Sequence, residues 1–209
     1  MTEFFVVAGQ DFAGKSSALA RLRGDPRHWQ VISTDSAFLG ARHQLVSDLR
    51  RGVGEVLPRL GSAYTPEFLA ALLQTAVVHL RDELDRADPE RPVIVDSYYY
   101  KIIAKCRLAG LSGNPMFDWW RSFPQPRRVV LVEVSAESAW RRCAAGTRLN
   151  SLEHYGDRPS RDGFERYQRD LLKLMLQEIG DCPMTVVEEQ PTPDSTARAI
   201  REALADELR

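Results

Sequence analysis

The chain has 209 residues, 44% of them hydrophobic, with a formal net charge of −1. Such a length supports one globular domain with a continuous core and no need for disulfide or metal staples. The balanced charge excludes a general field for nucleic acid or acidic membranes, so anion recognition has to be local. Cys106, Cys143 and Cys182 are widely spaced and contain no C-x-x-C, giving neither a disulfide framework nor a zinc motif. With no charged leader and no stretch approaching a membrane span, the expectation is a soluble protein of the cytoplasm.

In chain order, the apolar run 4–8 reads as a buried parallel strand. It leads into Gly9-Gln10-Asp11-Phe12-Ala13-Gly14-Lys15-Ser16, a phosphate-binding loop of the form G-x-x-x-x-G-K-[ST], with Ser17 beside it on the following helix. Two glycines let the backbone wrap an anion with its N–H groups. Lys15 can reach the terminal phosphates of a nucleotide, and the Ser16 hydroxyl can hold Mg²⁺. The helix opening at Lys15 aims its positive end at the same place. ATP and Mg²⁺ are therefore the expected ligands. At average composition the bare pattern arises by accident in roughly one chain in a hundred of this length. Here only four of the 28 Lys and Arg residues are lysine, which makes an accidental match rarer still.

Further β-rich runs follow at 31–33, 93–95, 129–134 and 184–187, alternating with helical patterns at 15–23, 41–51, 66–86, 98–108, 136–145, 161–179 and 195–208. This alternation predicts an α/β fold of the P-loop NTPase kind: a five-stranded parallel sheet between two helical layers, one kinase domain over 1–209. Loops are expected at 52–65, 87–92, 110–126, 146–159 and 190–194, each rich in Gly, Pro or Asp. A small lid is expected at about 141–158.

Ligands on such sheets bind beyond the carboxyl ends of the strands. Asp35, after the second run, reads either as a base for an acceptor hydroxyl or as a turn carboxylate. Asp96, ending the third run, reads as a second acid for Mg²⁺ or as an N-cap. Asp11 cannot usefully face the triphosphate, because like charges repel, and is expected to face an acceptor. Arg141, Arg142 and Arg148 lie where a lid arginine would close over phosphates. The aromatics Tyr98, Tyr99, Tyr100, Phe117, Trp119 and Trp120 read mainly as core or interface. His28, His43, His79 and His154 show no metal-ligand spacing and take no role.

The order of these parts resembles the thymidylate kinase family of P-loop nucleoside-monophosphate kinases. The loop looks like the family's G-x-D-x-x-G-K-S, Asp96-Ser97-Tyr98 looks like its D-R-Y, and Leu149-Asn150-Ser151-Leu152-Glu153 looks like its D-R-x-E lid end. The resemblance implies an ATP- and Mg²⁺-dependent kinase acting on a nucleotide-like small molecule, a homodimer packed through helices, and acceptor contacts from Asp11, Ser97 and Tyr98. With Phe12 where some members carry a loop arginine, Arg148, Arg141 or Arg142 becomes the catalytic candidate. Two departures mark the acceptor side. Ser97 replaces an arginine that holds the acceptor phosphate, a contact worth about 2 kcal/mol, and Arg42 is its possible substitute. Val78 falls, in approximate register, where the family reads thymine.

Overall fold

The computed structural model describes residues 3–25 and 29–208; His28 lies outside them. Among the described residues, β1 (Phe4–Ala8), β2 (Gln30–Ile32), β3 (Val93–Asp96), β4 (Arg128–Val132) and β5 (Met184–Val187) form one all-parallel sheet in the order β2-β3-β1-β4-β5. All five residues of β1 are buried, as a central strand covered on both faces requires. The helices are α1 (Lys15–Arg23), α2 (Gln44–Val56), α3 (Pro66–Asp85), α4 (Tyr98–Leu108), α5 (Pro115–Arg121), α6 (Ala136–Arg142), α7 (Arg161–Ile179) and α8 (Pro193–Ala203). Alternate residues of the central strands feed two cores, one under α3, α4, α5 and α7, the other under α1, α6 and α8. The result is the three-layer α/β/α architecture of P-loop NTPases.

Three departures from the expected elements have local causes. The segment 110–126 contains α5, because Asn114 caps it by accepting from the Met116 N–H at 2.9 Å, Pro115 fits its first turn, and Phe117 and Trp120 share one buried face. The helix expected at 41–51 begins as a 3-10 turn at Ala41–His43 and runs on through Gly52 and Gly54 to Val56. Each glycine costs about 1 kcal/mol in a helix, but Val53, Val56 and Leu57 bury against Leu69 and Leu152. The helix expected to reach 145 stops at Arg142, where Ala144, Ala145 and Gly146 turn in succession to positive φ.

Two backbone features frame the sheet's carboxyl end. Gly9 has φ +151° and lies so close to β4 that a Cβ there would collide with the Val132 carbonyl. Only glycine permits that approach. Across β1, Val7 is paired with Asp96, and the Ser97 N–H donates to the Val7 carbonyl at 3.0 Å. The loop and the end of β3 are thus adjacent by sheet register alone.

Candidate active site

A polar cleft opens above β1, β2 and β3, lined by Lys15, Ser16, Asp35, Arg50, Asp96, Lys101 and Glu153 among others. One side of it starts at the loop 9–16. Lys15 is 8% exposed and its Nζ donates to the carbonyls of Gly9 and Gln10, both at 3.0 Å. Burial, with Lys101 beside it, pushes the Lys15 ammonium down to about 7, against the pull of Asp96 and Asp11. A triphosphate brought within reach would favour its charged form.

Asp35 and Asp96 are joined through Ser33. Its hydroxyl donates to Asp96 at 2.9 Å and accepts from the Asp35 N–H at 3.0 Å. Asp96 also accepts from the Ser97 hydroxyl at 3.0 Å, and the Ser16 hydroxyl donates to Asp35 at 3.4 Å. Ser97, rather than Asp96, occupies the N-cap position of α4. Ser16, Asp35 and Asp96 therefore offer hard oxygen donors around one small volume, a donor set that fits Mg²⁺. Ser97 and Tyr98 both have positive φ, 58° and 46°, and strained backbone of this kind clusters at functional sites.

Asp11 sits deeper. Lys101 lies 2.8 Å and Lys105 3.1 Å from its Oδ1, while Gln168 Nε2 donates to Oδ2 at 3.2 Å and Gln168 Oε1 accepts from the Asp11 N–H at 2.9 Å. Although burial opposes ionisation, the ammonium groups of Lys101 and Lys105 hold this carboxyl well below the ordinary range. Both oxygens are thus engaged by α4 and α7, not left open to an acceptor. Glu153 stands 3.8 Å from Lys105, and burial raises its carboxyl, helped by the charge of Asp11. The two neighbouring carboxylates are pushed apart in opposite directions.

Of the arginines on the expected lid, Arg142 reaches the loop: it donates to the Phe12 carbonyl at 3.2 Å and pairs with Glu189 at 3.0 Å. Arg141 donates to Ser138, and Arg148 to the Arg142 carbonyl at 3.4 Å, so neither touches the loop. The segment 143–158 has no helix or strand, but Leu152 and His154 are buried and the Tyr155 hydroxyl donates to Asp170 at 2.8 Å. Arg42 pairs with Glu83 at 3.0 Å, outside the cleft. Tyr98 is 1% exposed, packs edge-on against Phe4 and donates to the Pro124 carbonyl, so its ring belongs to the core.

Beside the cleft lies an apolar cavity of about 210 Å³, walled by Val46, Leu49 and Val53 of α2 and by Leu72, Leu73, Thr75 and Ala76 of α3. Val78 faces a different groove, with His43 and His79. Sequence reasoning missed Ser33, Arg50, Lys101, Lys105 and Gln168. The i, i+4 spacing of Lys101 and Lys105, half of the chain's four lysines, was the available signal. The others are brought in only by tertiary packing.

No family model and no curated protein matches the chain by sequence. Solved structures do match by shape. Thymidylate kinase from Candida albicans superposes with a TM-score of 0.65 at 16% identity, covering 99% of this chain and 92% of that one. Deoxyadenosine kinase from M. mycoides with bound dATP gives 0.59 at 14% identity, covering 97% and 99%. The same enzyme with the products dCMP and dCDP gives 0.62 at 13%, covering 97% and 98%. At these identities the likeness is one of fold. Among the described residues no helix is long and apolar enough to cross a membrane. Over almost its whole length, the chain has the fold shared by thymidylate kinase and deoxynucleoside kinases.

Proposed function

We propose that this protein is an ATP- and Mg²⁺-dependent phosphotransferase of thymidylate-kinase type, passing the γ-phosphoryl group to a small nucleotide-like acceptor. The observation that carries this reading is the convergence of Lys15, Ser16, Asp35 and Asp96 at the carboxyl end of the sheet, directly beside an apolar cavity. In the reaction, the loop amides and Lys15 hold and neutralise the triphosphate. Ser16, Asp96 and Asp35 would hold Mg²⁺, which supplies charge neutralisation to the β- and γ-oxygens. Arg142, already on the loop, is the arginine best seated to oppose charge on the donor. The segment 143–158 serves as the lid, and the cavity between α2 and α3 receives the apolar face of the acceptor. Leu45 and Phe68, exposed on α2 and α3, are residues that a homodimer packed through these helices would cover.

A second reading, an acceptor with a free hydroxyl and no phosphate of its own, has a specific observation behind it. Lys101 and Lys105 are already matched by Asp11 and Glu153, and Ser97 brings no cation. Among the described residues, an acceptor phosphate would have Arg50 alone of the cleft's remaining cations on this side, and Arg50 itself lies 4.0 Å from Asp35. In this reading Asp35 takes the hydroxyl proton.

The test is ADP release from ATP and Mg²⁺ with dTMP, other nucleoside monophosphates, nucleosides and sugars offered in parallel. The expected result is turnover that requires one acceptor class. Fast turnover of a monophosphate selects the first reading, and turnover of a nucleoside or sugar selects the second. If calorimetry shows no uptake of ATP or GTP with Mg²⁺, both readings fall.

A further inference from the structure

Away from the cleft, on the far edge of the α2–α3 pair, three potential ligands meet. His79 and Glu83 are one turn apart on α3, and His43 ends the 3-10 turn that leads into α2. One ligand atom from each lies within 4.8 Å of the other two. His43 Nε2 is 3.4 Å from Glu83 Oε1. That separation equals the edge, about 3.4 Å, between two ligands that each stand about 2.0–2.1 Å from a tetrahedral ion. The two imidazoles are also near, with centroids 4.7 Å apart and planes at 71°. We propose that His43, His79 and Glu83 form a divalent transition-metal site, with Zn²⁺ the ion its donors suit, which ties the entry of α2 to α3.

The donor chemistry favours it. Two nitrogens and a carboxylate oxygen are a borderline donor set that selects Zn²⁺ over Mg²⁺ or Ca²⁺, which prefer all-oxygen cages. Arg42 on Oε2 can stay, leaving Oε1 for the ion and steadying the carboxylate as outer-shell partners of metal ligands do. Arg86, on Oε1 at 3.1 Å, must leave, but its side chain is 64% exposed and swings into water at little cost. The groove beside the site is open, so solvent can complete the coordination. Because α2 and α3 also wall the apolar cavity, the ion would stiffen the acceptor side without touching the loop.

The experiment uses the full, chelator-treated chain without nucleotide. Calorimetry with Zn²⁺ is expected to show one saturable site, and Co²⁺ in its place to give the visible absorption of a low-coordinate complex. Long-range ¹H–¹⁵N spectra of the wild-type imidazoles should show the His43 and His79 rings moving together as Zn²⁺ is added. His79→Gln should weaken binding by about tenfold or more. Absence of saturable binding, binding that leaves both rings unmoved, or unchanged affinity in His79→Gln would each overturn the site. None of these outcomes depends on phosphotransfer, so the metal site and the enzymatic reading stand or fall separately.

Discussion

The proposed donor and acceptor sides of the cleft obtain their geometry by different means. On the donor side, eight consecutive residues, two glycines among them, follow a buried strand, and sheet register brings Asp96 alongside. Backbone sets the geometry there, so the arrangement survives a wide change of side chains elsewhere. The acceptor side is assembled from α2, α3, α4 and the 143–158 segment, whose contributing residues are far apart in the chain. Side chains shape the wall there, and each can change without disturbing the sheet. The fold is shared with solved structures at 13–16% identity, and under the proposed reading the phosphate loop is held by local backbone chemistry while the acceptor wall is free to differ.

The severest way to break the comparison is to strike where the two sides join. Asp11 lies in the loop yet faces Lys101 and Lys105 of α4. Asp11→Asn leaves the Lys101 ammonium, with Lys15 close by, buried without its carboxylate, and Lys105 with Glu153 alone at 3.8 Å. Removing one partner of a buried pair typically costs about 3–5 kcal/mol. Chemical denaturation should show a loss of that order. The sign with pH follows from the low carboxyl of Asp11 in the folded chain. Its stabilisation is complete above the unfolded value of 3.8 and is lost as pH falls through the lower folded value. The wild type should accordingly lose more stability than Asp11→Asn between about pH 5 and pH 2. Parallel acid-unfolding curves would show that the lysines do not depend on Asp11.

Next in size is a break confined to the donor side. Lys15→Ala removes the buried ammonium that, in the proposed reaction, meets the triphosphate. Losing one such preorganised donor reduces turnover by about 10²–10³-fold. Circular dichroism should stay that of the wild type, because the Lys15 bonds to Gly9 and Gln10 are made within the loop. Full activity in the ADP-release assay would remove Lys15 from the mechanism.

How far each side could be read from sequence follows the same division. The parallel α/β architecture, the loop and the helix limits Tyr98–Leu108 and Arg161–Ile179 were all legible, since each rests on periodicity or on a local capping and turn pattern. The helix Pro115–Arg121 was hidden by the glycines and prolines around it, although Asn114-Pro115 carried its start signal. Ser33 was visible only as the end of a strand, because its link between Asp35 and Asp96 exists only once β2 and β3 pair. The cluster of His43, His79 and Glu83 was not read from the sequence: His79 and Glu83 stand at i, i+4, but His43 comes from 36 positions earlier in the chain. Which arginine meets the loop was likewise undetermined: the turn at residues 144–146 directs the chain so that Arg142 is retained over Phe12 while Arg148 lies outward.

A milder substitution sharpens the contrast by filling the acceptor cavity. Ala76 lines it from α3, and Ala76→Phe inserts a ring into about 210 Å³. The expected result is a rise in acceptor KM of about tenfold, roughly 1.4 kcal/mol, with ATP affinity by calorimetry unchanged. A matching loss of ATP binding would mean that the two sides share one site.

The smallest expected effect tests whether the acceptor wall depends on its own helix start. Thr65 caps α3 by accepting from the Phe68 N–H at 3.1 Å, with Pro66 in the first turn. Thr65→Ala removes that acceptor and should cost about 1 kcal/mol. Because the cap is remote from β1 and the loop, fraying at this end should reach Leu69, Leu72 and Leu73 before anything on the donor side. Amide exchange should therefore accelerate in the first turns of α3 while α1 and β1 keep wild-type protection. Equal acceleration in both would mean that the acceptor wall and the nucleotide side open as a single unit, and the independence argued for the two sides would fail.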